Sequence, residues 1–327
     1  MTEPAERVSL GRREVEVCRL GFGSAPLGGL LRATSQDDAR AAVEAALANG
    51  ISYFDTAPQY GGGLAEERLG AVLKDRPRAG LTVSTKVGKL VVRDAAAQVV
   101  PGFPGAAPHR IVYDYGYDGV MRSLEASFQR TGLSRFDVVL IHDVNRKYHG
   151  DAVMERLEEA LRGACVALAK LRDEGAIRAF GPASNELDVM QRFVEEADID
   201  CLMLPQRYTL IDRSAASRLL PACEARGIGV LLAAPFDSGI LATGAVEGAI
   251  YNYQPATPEI LARVRRIEAL CKEHDVPLPA AALQFGLRHP AVRSVVTGMR
   301  TADEVARNVA LMQHAIPPAF WAALEEL

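Results

Sequence analysis

Eight short apolar runs, each followed by a helix-patterned segment, constrain the fold of this 327-residue chain more than any other feature. The runs are Cys18 to Gly23, Ile51 to Asp55, Leu81 to Lys86, Phe136 to His142, Ile177 to Gly181, Cys201 to Leu204, Gly229 to Ala233 and Arg293 to Thr297. Several are rich in Val, Ile, Leu and Phe, with almost no polar residue until the end, as parallel strands buried on both faces are. Between them, as in Asp151 to Glu174, apolar residues recur at Met154, Leu157, Leu161, Ala164, Leu168 and Leu171, a spacing that paints one helical stripe. Asp37 to Asn49, Leu64 to Lys74, Asp118 to Thr131, Ala215 to Arg226 and Pro258 to Glu273 read the same way. Gly50, Gly132, Gly175 and Gly227 stand where a left-handed residue closes a helix. The alternation predicts a closed (β/α)8 barrel, in one domain spanning 1–327, over an open doubly wound sheet.

Composition excludes several classes of partner. Net charge is −4 and no basic run occurs, so neither nucleic acid nor an anionic membrane surface is expected. No uncharged apolar run is long enough for a transmembrane helix, and MTEPAERVSLGRREVEV has no apolar core of a secretory signal. The five cysteines (Cys18, Cys165, Cys201, Cys223, Cys271) are odd in number, with no zinc-like spacing. Four of them sit in apolar surroundings and read as core residues in a reducing compartment, which makes a cytoplasmic protein without a metal the expectation.

Two segments break the alternation. Val91 to Arg110 is too long and too rich in Pro and Gly for a simple turn, and Asp143 to Gly150 is a polar loop directly after a strand. Both lie at C-terminal strand ends, the face where barrel enzymes place their sites. His109 and His149 within them read as surface residues.

Polar residues gather at these strand ends. The second run ends in Asp55, with Tyr60 just beyond; the third in Ser84-Thr85-Lys86; the fourth in His142-Asp143; the fifth leads to Ser184-Asn185 and the sixth to Gln206. A lysine at a buried strand end needs a carboxylate, and Asp55 is available. A phenol's ordinary pKa near 10 is too high for proton exchange at neutral pH, and a nearby ammonium is expected to lower it. Tyr60 flanked by Lys86 and His142, with Asp55 fixing the lysine, therefore suits interconversion of a carbonyl and an alcohol. No side chain can carry the hydride, so a nicotinamide cofactor is implied. Neither a GxGxxG turn nor a P-loop is present; Gly61-Gly62-Gly63 has the wrong spacing for either.

FDTAPQYGGGLAEERLG, STKVG, LIHD, GPASN and GMRTADEVARN resemble, in order and spacing, the aldo-keto reductase superfamily, from about Leu20 to Leu311. The resemblance implies a (β/α)8 barrel, NAD(P)-dependent chemistry and a tetrad on Asp55, Tyr60, Lys86 and His142. It also implies that Ser184, Asn185 and Gln206 hold the nicotinamide amide, and that Pro235-Phe236-Asp237-Ser238-Gly239 lies near the pyrophosphate. The adenosine end would fall at Gly298 to Asn308, including Arg300, Thr301, Glu304 and Arg307.

Three departures refine that picture. NADP-preferring relatives hold the 2′-phosphate with a lysine and an arginine; Gly298 and Glu304 stand at those positions. A carboxylate there would repel the phosphate, which favours NAD, although Thr301 and Glu304 also form a T-x-x-E capping box and Arg300 or Arg307 could still hold a 2′-phosphate. Ala233 stands where many relatives carry a tyrosine stacked on the nicotinamide, leaving either Phe236 or the amide contacts to hold the ring. Asp143 beside His142 suits a hydroxylated substrate.

The His-Asp pairing, with the helix of Asp118 to Glu125 before it, resembles a branch holding aldose 1-dehydrogenases of D-threo-aldose or L-fucose type, L-galactose dehydrogenase and pyridoxal 4-dehydrogenase. The resemblance implies oxidation of a cyclic hemiacetal to a lactone. Alternatives are pyridoxal 4-dehydrogenase itself, an NADPH-dependent reductase of aldehydes or ketones, and a non-catalytic cofactor-binding sensor or channel-associated subunit.

Overall fold

The computed structural model describes residues 2–97 and 102–327. All eight apolar runs become strands of one closed parallel barrel, arranged around the ring in chain order. They are β1 (Leu20–Gly23), β2 (Tyr53–Asp55), β3 (Thr82–Val87), β4 (Val138–His142), β5 (Ala179–Ala183), β6 (Cys201–Pro205), β7 (Gly229–Ala233) and β8 (Val292–Gly298). Strands β2 to β5 are buried along their whole length, which is why they read as unbroken apolar runs.

The outer helices begin where their sequences supply a cap. Ser35 accepts from the Asp38 N–H to start Gln36–Ala48, and Thr257 caps Pro258–Glu273 with proline in the first turn. Gly50, Gly132, Gly175 and Gly227 all adopt positive φ, between 65° and 77°.

The two barrel ends carry different chemistry. At the N-terminal end, Asp137 and Asp200 accept from the Val83 and Phe180 N–H groups and pair with Arg78 and Arg172 at 2.7 and 3.0 Å. These buried pairs tie strand starts together. The hairpin of Arg7–Ser9 with Glu16–Cys18 closes the same end: a Cβ on Gly11 in its turn would meet the Asp200 carbonyl oxygen at 2.5 Å.

At the C-terminal end, β4, β6 and β7 are each followed at once by a non-glycine residue at positive φ: Asp143 (54°), Gln206 (64°) and Ala234 (53°). Each still donates its N–H to the neighbouring strand, Asp143 to Ala183 O, Gln206 to Ala233 O and Ala234 to Val296 O. The sheet ladder thus runs to its last residue before the chain turns, and the backbone strain sits around the mouth.

Several local expectations are corrected. The 91–110 segment is the loop of a hairpin, joining Lys89–Arg93 to the antiparallel His109–Tyr113; residues 98–101 lie outside the described residues. The 143–150 segment folds into a short helix, Arg146–His149, because the Asn145 side chain accepts from the Tyr148 N–H. His109 is buried with Nδ1 2.8 Å from the Ala107 carbonyl, and His149 is half-buried against Tyr115, so neither is a free surface residue. The Asp151 to Glu174 stripe contains a π-helical turn, Ala160–Ala164. There Gly163 packs on the backbone of Gly116, where a Cβ would lie 2.7 Å from the Gly116 Cα. Ala215 to Arg226 is a 3-10 turn, Ser214–Ala216, followed by the helix Leu219–Ala225.

Candidate active site

The strand register steps the polar strand ends by two residues from β2 to β3 and again from β3 to β4. Gly23 lies opposite Asp55 and Asp55 opposite Ser84, while Lys86 pairs with Leu140 and His142 with Ala183. Asp55, Lys86 and His142 therefore project from three adjacent strands at the same barrel end, with Tyr60 on the loop that follows β2.

Lys86 is almost fully buried. Its Nζ donates to Asp55 Oδ2 at 2.6 Å, to the Thr56 carbonyl at 3.0 Å and to Tyr60 Oη at 3.1 Å. The other Asp55 oxygen accepts from Ser84 Oγ at 2.7 Å. With its partners complete, Asp55 is the lysine's counter-ion, and Tyr60 is the phenol the ammonium touches. The His142 ring stands edge-on to Tyr60, with centroids 6.0 Å apart.

The electrostatics correct one expectation. Burial pushes the Tyr60 phenol well above its ordinary pKa, and the Asp55 and Asp143 carboxylates add to that direction. Asp55 lies 2.6 Å from Lys86 Nζ and offsets its charge, so the ammonium does not outweigh desolvation at the phenol. His142 moves the other way: burial first, then the Lys89 charge, hold it well below the usual imidazole range, against the pull of Asp143. The imidazole is thus neutral at neutral pH, with Nε2 3.4 Å from Asp143 Oδ2.

A second buried ammonium faces this group. Lys89, 1% exposed, donates to Asp143 Oδ2 and to Gln59 Oε1, each at 2.5 Å, and lies over the Tyr148 ring. Gly88, at φ 93°, lets the chain turn between Lys86 and Lys89, and a Cβ there would run into the Tyr115 ring. The Tyr115 hydroxyl in turn lies 2.9 Å from the His142 carbonyl and 3.1 Å from that of Asp143.

Above the tetrad lies a cavity of about 150 Å³. Asp55, Tyr60, Lys86, His142 and Asp143 form its polar side; Ala183, Met203, Pro205, Ala233 and Val296 form an apolar one. Tyr253, at φ 61° in the turn between Ile250–Tyr251 and Gln254–Pro255, also lines it. Phe236 is half-buried against the core and is not part of the lining.

The residues around this cavity fit a nicotinamide dinucleotide. The apolar side suits a planar ring. The Asn185 carboxamide makes no hydrogen bond among the described residues, and Gln206 spends only its amide, on Ser238 Oγ at 3.3 Å. Ser184 is buried, its hydroxyl 3.3 Å from the Val144 carbonyl. In the Pro235 to Gly239 loop, Asp237, Ser238 and Gly239 all have positive φ. The Asp237 carboxylate is turned inward, accepting from Thr209 Oγ1 at 2.5 Å, and burial raises its pKa to about 7.

Gly298 ends β8 against Pro26, and its cavity-lining position leads to the segment of Arg300 to Asn308. Thr301 caps the helix Ala302–Gln313 by accepting from the Glu304 N–H, while Glu304 Oε2 accepts from the Arg300 N–H at 2.7 Å and Oε1 pairs with Arg32 at 3.3 Å. The Arg300 guanidinium is committed to the Leu30 and Arg32 carbonyls and the Thr34 hydroxyl. Arg307 is exposed and makes no ion pair among the described residues, and Asn308 is buried.

Lys89, Gln59, Tyr115 and Tyr253 were not foreseen as site residues. Lys89 alone carried a signal: a lysine three positions after Lys86, beyond a glycine, in a run that is otherwise apolar.

Comparison with known proteins agrees with this fold. The chain is 40% identical to a pyridoxal 4-dehydrogenase of Microbacterium luteolum, covering 98% of this chain and 96% of the relative. It is 39% identical to a D-threo-aldose 1-dehydrogenase of a Pseudomonas species, covering 99% and 97%. The solved holo form of an aldo-keto reductase from Bacillus halodurans superposes with a TM-score of 0.73 at 25% identity, covering 98% of this chain and 95% of that one. The Aldo/keto reductase family matches residues 19–327. With a closed eight-stranded barrel and a match across nearly its whole length, the chain belongs to the aldo/keto reductase family, enzymes that use NAD(P).

Proposed function

We propose that this enzyme oxidises a small sugar hemiacetal at its anomeric carbon to a lactone, with NAD preferred over NADP. The observation that carries the reading is the contact of Tyr60 Oη with Lys86 Nζ at 3.1 Å, beside a neutral His142 at the floor of the cavity. When bound, NAD(P) in its oxidised form would supply the hydride acceptor.

Tyr60 accepts the proton of the anomeric hydroxyl, and Lys86 stabilises the phenolate that must exist beforehand. His142 orients the same oxygen through a hydrogen bond. Asp143, partly exposed and lining the cavity, accepts from a neighbouring sugar hydroxyl. Ser184, Asn185 and Gln206 hold the nicotinamide amide, and the Pro235 to Gly239 loop follows the pyrophosphate. Glu304 near the adenosine ribose, with Arg300 already committed elsewhere, disfavours a 2′-phosphate.

Pyridoxal is the second candidate, since it too forms a cyclic hemiacetal and the 40% identical relative is named for it. The deciding experiment is a spectrophotometric panel of L-fucose, D-arabinose, L-galactose, D-galactose and pyridoxal, each with NAD and with NADP. Highest kcat/KM on an aldose with NAD supports the proposal. Pyridoxal as the best substrate selects the second reading, and turnover confined to carbonyl reduction with NADPH rejects both.

A further inference from the structure

We infer that Lys89 is a positioning residue that sets the separation of Tyr60 and His142, an inference that rests on the proposed acid–base roles of those two. Its two hydrogen-bond partners are each the chain neighbour of one of them. Gln59 immediately precedes Tyr60 on the loop after β2, and Asp143 immediately follows His142 at the end of β4. One buried ammonium therefore ties the glycine-rich loop after β2 to the barrel strand β4.

The surroundings favour this role over a merely structural ion pair. Asp143 is held at φ 54°, and its backbone carbonyl and that of His142 both lie within reach of the Tyr115 hydroxyl. The carboxylate therefore has a fixed base from which to hold Lys89. On the other side, Gln59 is half-buried and, among the described residues, makes one further side-chain hydrogen bond, to Tyr148 Oη at 3.5 Å. The loop side of the tether thus depends mainly on Lys89. Lys86 holds Tyr60 through its hydroxyl, and Lys89 holds the side chain of the residue before it, so the loop is held at two neighbouring positions.

The same ammonium acts on His142 through space. The charged and titratable groups facing that imidazole are Asp143, Lys89 and Lys86, with the phenol of Tyr60 at its edge and that of Tyr115 on its carbonyl. Removing Lys89 deletes one of two cations that disfavour the imidazolium, and so eases protonation of His142.

The test compares Lys89→Met and Gln59→Ala with the wild type, using turnover with the best substrate of the panel, cofactor affinity by fluorescence titration, and the His142 titration by NMR. Lys89→Met is expected to lower kcat about 100-fold, the scale of an ångström misplacement at a reacting centre, while cofactor affinity changes less than about threefold. The His142 midpoint should rise, carrying the acid limb of kcat/KM with it. Gln59→Ala cuts only the loop arm and should lower kcat about tenfold with His142 unmoved.

Unchanged kcat in both variants overturns the inference, as does a fall in kcat accompanied by lost cofactor binding or an unmoved His142 in Lys89→Met. If Lys89→Met does not fold, Gln59→Ala decides alone, and wild-type kcat there refutes the tether. A wild type that turns over no hemiacetal or carbonyl sinks the proposed function instead; the NMR shift of His142 is read without substrate and keeps the two failures apart.

Discussion

The Lys86 ammonium and the Asp55 carboxylate lie 2.6 Å apart with both side chains closed off from water. A buried pair of this kind is costly to break from one side, because the remaining charge has no solvent to turn to. Asp55→Asn or Lys86→Met alone should therefore lose about 3–5 kcal/mol in denaturant unfolding. The double variant should recover much of that loss while remaining inactive. If the double variant is as unstable as the sum of the singles, the pair is not the energetic unit described.

Tyr60→Phe removes the proton acceptor and leaves the ring that packs near Phe103 and His142. General acid–base catalysis contributes roughly 10²- to 10⁴-fold, and kcat should fall by that order. Cofactor affinity, measured by fluorescence quenching, should stay the same. Comparable turnover in the variant would remove Tyr60 from the mechanism.

Oxidation needs Tyr60 deprotonated, and the site holds that phenol above its ordinary pKa. The oxidative kcat/KM should accordingly climb from neutral pH into the alkaline range, and the reductive rate should fall over the same range. His142 is shifted downward, so it stays neutral throughout that climb and adds no limb of its own. A flat oxidative profile between neutral and alkaline pH is the result this account cannot accommodate.

Asp237 makes a separate, purely thermodynamic prediction. Its carboxyl is raised to about 7 by burial, against an ordinary value near 4. A raised folded-state value means the protonated form is favoured in the fold. Its contribution is therefore fully present below the unfolded value and is lost as pH rises through about 7. Asp237→Asn keeps the shape without the charge. It should stabilise the protein by a few kcal/mol at mildly alkaline pH and much less in acid; equal effects at both ends would contradict it.

Glu304→Gln removes the negative charge beside the expected adenosine site but keeps an oxygen for the Arg300 N–H. The ratio of kcat/KM for NAD over NADP should fall by about tenfold, close to 1.4 kcal/mol. An unchanged ratio would leave Glu304 as a helix-capping residue alone.

The barrel was legible because its strands are buried on both faces, so Val138 to His142 and its counterparts stand out as apolar runs that end in polar residues. The tetrad was legible for the same reason: Lys86 is conspicuous where everything before it is buried. The hairpin of Lys89–Arg93 with His109–Tyr113 was not, because its strands are partly exposed and its tip is rich in Pro and Gly. The direction of the Tyr60 shift was also out of reach. Sequence supplies the lysine, but only the folded site shows how far desolvation and two carboxylates outweigh it. Tyr253 reaches the cavity through a turn with two left-handed residues, Asn252 and Tyr253, neither a glycine that would have marked it.

Gly88, at φ 93°, stands between the buried Lys86 and Lys89, so a left-handed residue joins the two. The glycine also lies against the Tyr115 ring, whose hydroxyl props the carbonyls of His142 and Asp143 from the far side. A methyl group added at Gly88 would run into that ring, and so press on the side chain that holds the strand end. Gly88 is thus a point at which a change outside the tetrad reaches the strand end that bears His142.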